Sequence, residues 1–300
     1  MKQDFPRVGI AVLCRLFGKT RHAYYDSIWR KENSLVKEDI ILQEVAKIRK
    51  DLPRLGTRKL HHVLQAKLMS YQISFGRDYL FDLLSEHKLL VRQRKRKAIT
   101  TDSRHWMRKY SNLVKGLVVT RPEQVWVSDI TYIRLTNQWG YLSLITDAYS
   151  RKIMGFSFRQ DLAAEGCIDA LKMALSQRVY NGTIIHHSDR GSQYCSHNYV
   201  DVLLKNNIAI SMTENGDPYE NALAERVNGI IKTEFNLYSS SLGFEQTANQ
   251  INKSIKAYNE LRPHASCDYL TPEQTHLQSE KLNKRWKNYS KNFNYEKTAV

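Results

Sequence analysis

The chain has 300 residues, 42% of them hydrophobic, and a formal net charge of +16 at pH 7, which allows two or three domains and at least one sizeable core. No apolar run approaches the roughly 18 residues of a membrane span, and the start MKQDFPRVG lacks a signal peptide's apolar stretch. Cys14, Cys167, Cys195 and Cys267 have neither disulfide-framework nor zinc-site spacing, so a soluble cytoplasmic protein with reduced thiols is expected.

The charge is segregated. Residues 1–118 carry 26 Lys and Arg against 11 Asp and Glu, residues 119–279 carry 14 against 17, and the tail 280–300 carries 6 against 2. Solubility charge accounts for a positive sum but not for this division. A basic front attached to a slightly acidic middle suits a module that grips phosphates joined to one that attracts cations.

In chain order, Val8, Ala11, Val12 and Leu16 recur at helical spacing, Gly18 and Lys19 make a turn, and Thr20 caps a second helix, a helix-turn-helix outline. Residues 34–50 read as a further amphipathic helix, with Ser34 as cap and Leu35, Ile41, Leu42, Val45 and Ile48 as its stripe. A second helix-turn-helix follows over 51–91: Thr57 opens a helix bearing Leu60, Val63, Leu64 and Leu68, and a polar break leads to one bearing Tyr79, Leu80, Leu83 and Leu84. Arg58 and Lys59 are candidate phosphate contacts there. Residues 92–120 read as a basic linker. Five of the six residues from Arg92 to Lys97 are cationic, namely Arg92, Arg94, Lys95, Arg96 and Lys97, and a strand-tracking arm is preferred over a solvated or targeting tract. His105 and Trp106 either touch nucleic acid or lie on the surface.

From Val125 the period becomes two. WVSDITYIRL, GYLSLITDAY and RKIMGFSF, separated by short breaks, predict an antiparallel meander. A helix over 163–179, a strand GTIIHHSD, a helix over 196–206, a strand IAISMT and a long helix over 219–235 follow. The order predicts an α/β fold: a ribonuclease H-like mixed sheet with helices on both faces, preceded by the helical units.

Three carboxylates stand out. Asp129 interrupts an apolar strand, where its charge needs a counter-ion. Asp189 sits where the fourth strand ends, and Glu225 lies in the helix NALAERVNGIIK. Phosphoryl transfer with two divalent cations about 3.5–4 Å apart needs such a convergence. Lys232, Asn221 and Asn228 share a helix face with Glu225 and are candidate DNA contacts. Of His186 and His187, one is expected in the core and one near the site. Asp147 is read as a turn residue bonded locally, and Gln193 and Tyr194 either line a channel or pack the next helix.

W-x-x-D-I-T-Y-I at Trp126 to Ile133, H-S-D-R-G-S-Q-Y at His187 to Tyr194, G-D-P-Y-E-N-A-x-x-E ending at Glu225, Y-N-x-x-R-P-H at Tyr258 to His264, and L-T-P-E at Leu270 to Glu273 appear in order. On these motifs, residues 121–275 resemble the integrase-type catalytic core of OrfB transposases of the bacterial insertion-sequence-three family, relatives of retroviral integrases. The 35 residues between Asp189 and Glu225 match the family interval, and Lys232 stands at the seventh following position. LCRLFGKTRHAYY and LGTRKLHHVL also resemble the family's N-terminal segments. Glu214 and Asn215 depart from it, standing where members commonly carry a basic residue, and no His-His-Cys-Cys zinc module is visible.

The resemblance implies a DDE transposase that cuts 3′ ends of an insertion sequence and transfers the strand. Asp129, Asp189 and Glu225 would be both the catalytic residues and the ligands of two Mg²⁺ ions, with Mn²⁺ as a substitute. It also implies double-stranded DNA as partner (terminal repeats and target), a homo-oligomer, an OrfA partner or fusion, and a bacterial, nucleoid-associated location. Residues 276–300 would form a basic tail. The rival readings are a DNA-binding regulator that keeps the core as scaffold, and a structure-selective nuclease of the same fold.

Overall fold

The computed structural model describes residues 5–92, 106–214, 221–239 and 242–278. These fall into two compact units, one of residues up to 51 with 56–91 and the other of 52–55 with those from 92 onward. The helical segments expected as 1–50 and 51–91 thus share one unit.

That unit contains α1 (Ile10–Leu16), α2 (Arg21–Asp51), α3 (Thr57–Leu68) and α4 (Arg77–Glu86). Gly18 turns the chain at φ +63°, and Thr20 Oγ1 accepts from Ala23 N at 3.1 Å, the expected cap. No Gly or Pro interrupts residues 21–51, so α2 is one helix of 31 residues. Ser34 therefore does not cap; it is interior and its hydroxyl donates to Glu38 Oε1 at 3.1 Å. The buried face of α2 is Ile41, Val45 and Ile48, while Leu35 is exposed. Near that position polar groups make the contacts instead: Lys37 Nζ donates to Ser74 O at 2.6 Å and Tyr79 OH to Glu38 Oε1 at 3.2 Å. In α1 the buried pair is Leu13 and Cys14, with Val12 and Leu16 exposed. A helix of under two turns buries whatever its neighbour α2 covers, and the expected stripe lay beside that face. The leucines of α3 and α4 are buried as predicted: Leu60, Leu64, Leu68, Leu80, Leu83 and Leu84.

The second unit is built on a five-stranded sheet in the order β3-β2-β1-β4-β5. The strands are β1 (Val125–Arg134), β2 (Trp139–Asp147), β3 (Ile153–Arg159), β4 (Ile185–Ser188) and β5 (Ala209–Met212). The first three form the predicted antiparallel meander, and β4 and β5 run parallel to β1. Alternation along β1 sends Trp126 to one face, in a core with Ile145, Met154, Leu171, Tyr199 and Leu203, and Val125 and Val127 to the other, with Ala148 and Ala224. The helices are α5 (Ala164–Ser176), α6 (Ser192–Cys195), α7 (His197–Lys205), α8 (Ala222–Glu234), α9 (Phe244–Glu260) and α10 (Pro272–Leu277). This mixed α/β core is the ribonuclease H-like architecture expected.

Residues 106–120, expected to continue a linker, instead pack on the core through Met107 and Tyr110. The cause is the sheet edge, whose unpaired polar groups need partners. Met212 N on β5 donates to Ser111 O at 3.3 Å, and Leu113 N donates to Ser211 Oγ at 2.8 Å. The four cysteines are free and buried, and no helix among the described residues is long and apolar enough to cross a membrane.

Helix α5 crosses β3 at Gly155, where an added Cβ would strike Ala170 O and Ala174 N. Gly155→Ala is expected to lower unfolding free energy by ~3 kcal/mol, since backbone cannot yield as a side-chain tip does. Urea denaturation measures this, and a loss below about 0.5 kcal/mol would contradict so close a helix–strand approach.

Candidate active site

The site starts from strand register. β1 and β4 are parallel with Val127 opposite His187, and two further steps along each chain bring Asp129 level with Asp189. Both line one small cavity, with Ile130, Tyr132, Leu162, Gln193 and Tyr194. Asp129 Oδ1 accepts from Ile130 N at 2.9 Å and Oδ2 from Asn228 Nδ2 at 2.8 Å. Asp189 Oδ1 accepts from Gly191 N at 3.0 Å, and a Cβ on Gly191 would crowd that same oxygen at 3.0 Å.

Glu225 lies in the first turn of α8 and is exposed. Its charge reaches Asp129 nonetheless. The Asp129 carboxyl is pushed up to about 7 by burial and by the Asp189 charge, is pulled back by the Asn228 bond, and is raised again by Glu225. Both other carboxylates therefore oppose ionisation of Asp129, and Asp189 shares its cavity. Among the described residues no three His, Cys, Asp or Glu side chains converge closely enough to hold a metal ion between them. The segment 215–220 leading into α8 lies outside the described residues.

The other α8 positions differ from expectation. Asn221 and Asn228 are only 6% and 4% exposed and face the sheet, where Asn221 Nδ2 donates to Ser128 O at 3.0 Å. Both are bonded to β1, Asn228 through Asp129. Lys232 Nζ donates to Thr131 Oγ1 at 3.0 Å and lies 5.1 Å from the Tyr238 ring centre; burial lowers its pKa, with Asp129 opposing. The physical reason is that the face shared by these residues is the one α8 lays on β1. Arg58 is exposed, Lys59 half-buried and Arg92 exposed, while Arg94, Lys95, Arg96, Lys97 and His105 lie outside the described residues. Trp106 is 94% exposed, and Glu214 pairs with Lys115 at 3.6 Å.

Both histidines before Asp189 are fully buried; neither reaches the cavity. His186 Nε2 bonds Ser128 Oγ at 2.7 Å and Tyr199 OH at 2.8 Å, and burial drives its pKa down to about 3. His187 Nδ1 bonds Ser211 Oγ at 2.9 Å. Gln193 Nε2 donates to Leu162 O at 2.9 Å, forming the cavity wall.

Sequence reasoning missed the polar frame behind the site. Asp147 caps its turn as expected, accepting from Tyr149 N and Ser150 N, but it also accepts from Glu123 N at 2.7 Å. Glu123, in left-handed backbone at φ 53°, accepts from Val179 N and Tyr180 N and meets His276 at 3.3 Å. The Y-N-x-x-R-P-H motif is structural as well. Tyr258 OH donates to Arg151 O, Asn259 bonds both backbone groups of Ile153, and Arg262 forks onto Glu234 with two contacts of 2.7 Å. An acidic residue before a strand and a motif beyond the last strand were the available signals.

Comparison with known proteins adds the following. Two Integrase core domain families match, over residues 119–218 and 206–272. The chain is 32% identical over 265 residues to the "Insertion element IS600 uncharacterized 31 kDa protein" of Shigella sonnei, covering 87% of this chain and 96% of that protein. It is 35% identical over 163 residues to "Transposase InsF for insertion sequence IS3A" of Escherichia coli (strain K12), covering 54% of this chain and 57% of that one. Among solved structures, the HTLV-2 integrase catalytic core domain in complex with magnesium (trimeric form) is similar at 23% identity and a TM-score of 0.43, over 52% of this chain and 97% of its own.

The raised Asp129 pKa has a measurable consequence without metal. The folded state holds this proton up to about pH 7, whereas an unfolded Asp releases it near its ordinary value of 3.8. Between those limits the folded state binds more protons, so stability is greatest below the lower limit and falls as pH rises through the upper one. In EDTA, Asp129→Asn should remove that fall and exceed wild type at pH 8 by up to about 4 kcal/mol. Parallel pH dependences for the two proteins in chemical denaturation would contradict it.

Proposed function

Because the chain belongs to the insertion-sequence-three family of transposases, polynucleotidyl transferases with an integrase-type core, we propose that it cuts the 3′ ends of its element and transfers them to target DNA in a metal-dependent reaction. The observation that carries this is the pairing of Asp129 and Asp189 in one cavity, with Asp129 destabilised as an anion by both other carboxylates. Crowded negative charge with hard oxygen donors suits Mg²⁺, and Mn²⁺ in its place.

Asp129, Asp189 and Glu225 would hold two such ions. Bound there, the metals supply activation of the attacking oxygen and stabilisation of the leaving oxygen. The chain's own residues do the positioning. Asn228 orients Asp129 through its Oδ2, leaving the carboxylate's remaining lone pairs for ligation. Gly191 N fixes Asp189, and Leu162, Gln193 and Tyr194 wall the cavity. Glu225, in the first turn of α8, would complete the set. Cleavage and joining are in-line displacements, by water and then by the freed 3′-hydroxyl, with no covalent protein intermediate.

The basic front half would grip double-stranded DNA, with Arg58, Lys59, Arg92 and the tract Arg94 to Lys97 on phosphates of terminal repeats. Handling two element ends together implies a homo-oligomer, with an OrfA segment as an additional subunit or fusion, acting at the bacterial nucleoid.

With the element's terminal DNA and Mg²⁺, wild type should give both cut and joined products. Asp129→Asn, Asp189→Asn and Glu225→Gln should each abolish both while retaining DNA binding. Cut DNA without joined product would indicate a nuclease, and binding without any metal-dependent product would favour the regulator or a required OrfA partner. Equal loss of binding and cleavage in the variants would refute the separation of grip from chemistry.

A further inference from the structure

The β1–β2 hairpin runs past the carboxylate cavity and carries an aromatic and cationic ledge. Tyr132 lines the cavity beside Asp129 and Asp189. The antiparallel register sets Tyr132 opposite Tyr141 and Arg134 opposite Trp139, so alternation puts all four on one face of the hairpin. Their rings touch in sequence. Tyr132 and Tyr141 are edge-on at 5.2 Å, Tyr132 and Trp139 edge-on at 6.4 Å, and the Arg134 guanidinium lies 5.4 Å from the Trp139 ring centre.

Trp139 is 40% exposed, whereas Trp126 on the neighbouring strand is wholly buried. An indole that the core leaves in water, next to a cation and continuous with a cavity for phosphodiester chemistry, has the composition of a base-stacking surface. Stacking on it needs a base outside a paired duplex, because a paired base shows its faces only to its neighbours in the stack. A duplex end meets that condition when its last pairs open.

We propose that Tyr132, Trp139 and Arg134 form a stacking platform for unpaired nucleobases at the end of the DNA held at the carboxylate cavity. The platform rests on the strand-transfer reading above and adds to it a ligand: the splayed terminal bases, whose capture would hold the adjoining backbone over Asp129 and Asp189. Because every base has a π-face, the platform tolerates any sequence, leaving sequence readout to the basic front half.

The test is binding by the full chain in EDTA, which needs no catalysis. The probes are two hairpin-closed duplexes with 2-aminopurine as terminal base, one blunt and one with a short unpaired 3′ end. Wild type should bind the open end about tenfold more tightly than the blunt one and quench its fluorescence. Trp139→Ala should lose both the preference and the quenching while keeping its blunt-duplex affinity and thermal melt, and Trp139→Phe should restore most of both. Equal wild-type affinity for the two ends, or an undiminished preference in Trp139→Ala, overturns the platform and leaves the DNA reading standing. Binding to neither duplex overturns both.

Discussion

The structure depends on one electrostatic conflict, the placement of the Asp129 carboxylate inside a sheet with two more carboxylates in range. Burial and like charge both oppose its ionisation. Two neutral donors, Ile130 N and Asn228 Nδ2, keep it in place without cancelling its charge. A lysine or arginine in the place of Asn228 would settle the conflict with a salt bridge and remove the site's appetite for cations. Lys232 is near enough to act on Asp129, yet its ammonium is bonded to Thr131 Oγ1. The lysine thus acts on the carboxylate at a distance rather than through a direct ion pair.

The buried carboxylate needs a rigid surround, which the buried polar groups supply. Glu123 and Asp147 tie the entry to β1, the turn after β2 and the segment after α5 into one network with His276. Each of these groups is buried at the far end of the sheet from the β1–β2 hairpin, and each is bonded, as burial requires. Asn259 supplies the same service at β3, an edge strand, by bonding both polar groups of Ile153. None of these residues is near the cavity. Their effect is to fix β1, and hence where Asp129 sits.

Periodicity made most of the sheet legible. The three antiparallel runs and the order of helices and strands follow from alternation and from strand ends, whereas the level placement of Asp129 and Asp189 comes from the β1–β4 register, which periodicity does not report. What periodicity could not give was direction. Asn221, Asn228 and Lys232 were grouped correctly on one face of α8, but a polar face reads as solvent-facing, and here it packs on a strand whose own polar atoms need partners. The same limit applies to α1, where seven residues are too few to mark a buried side, and to His187, whose partner Ser211 lies on another strand. Ser34 failed as a cap because a good capping residue ends a helix only where something else stops the helix first, and nothing between 21 and 51 does.

The charged clamp between Arg262 and Glu234 raises a question of design, since apolar residues can replace a buried ion pair at little cost in stability. Its value lies in geometry. The buried aliphatic residues of α8 are Ala224, Val227, Ile230 and Ile231, and aliphatic contacts of this kind discriminate poorly between registers one turn, about 5.4 Å, apart. Polar contacts do discriminate. Asn221 meets Ser128 O, Asn228 meets Asp129 and Lys232 meets Thr131, and a one-turn slip would break all three at once. The fork of Arg262 on Glu234 adds a fourth fixed point at the helix end, with two contacts whose planarity restricts rotation as well as sliding. Since Glu225 is carried on the same helix, the register that satisfies β1 also determines how far that third carboxylate stands from the other two.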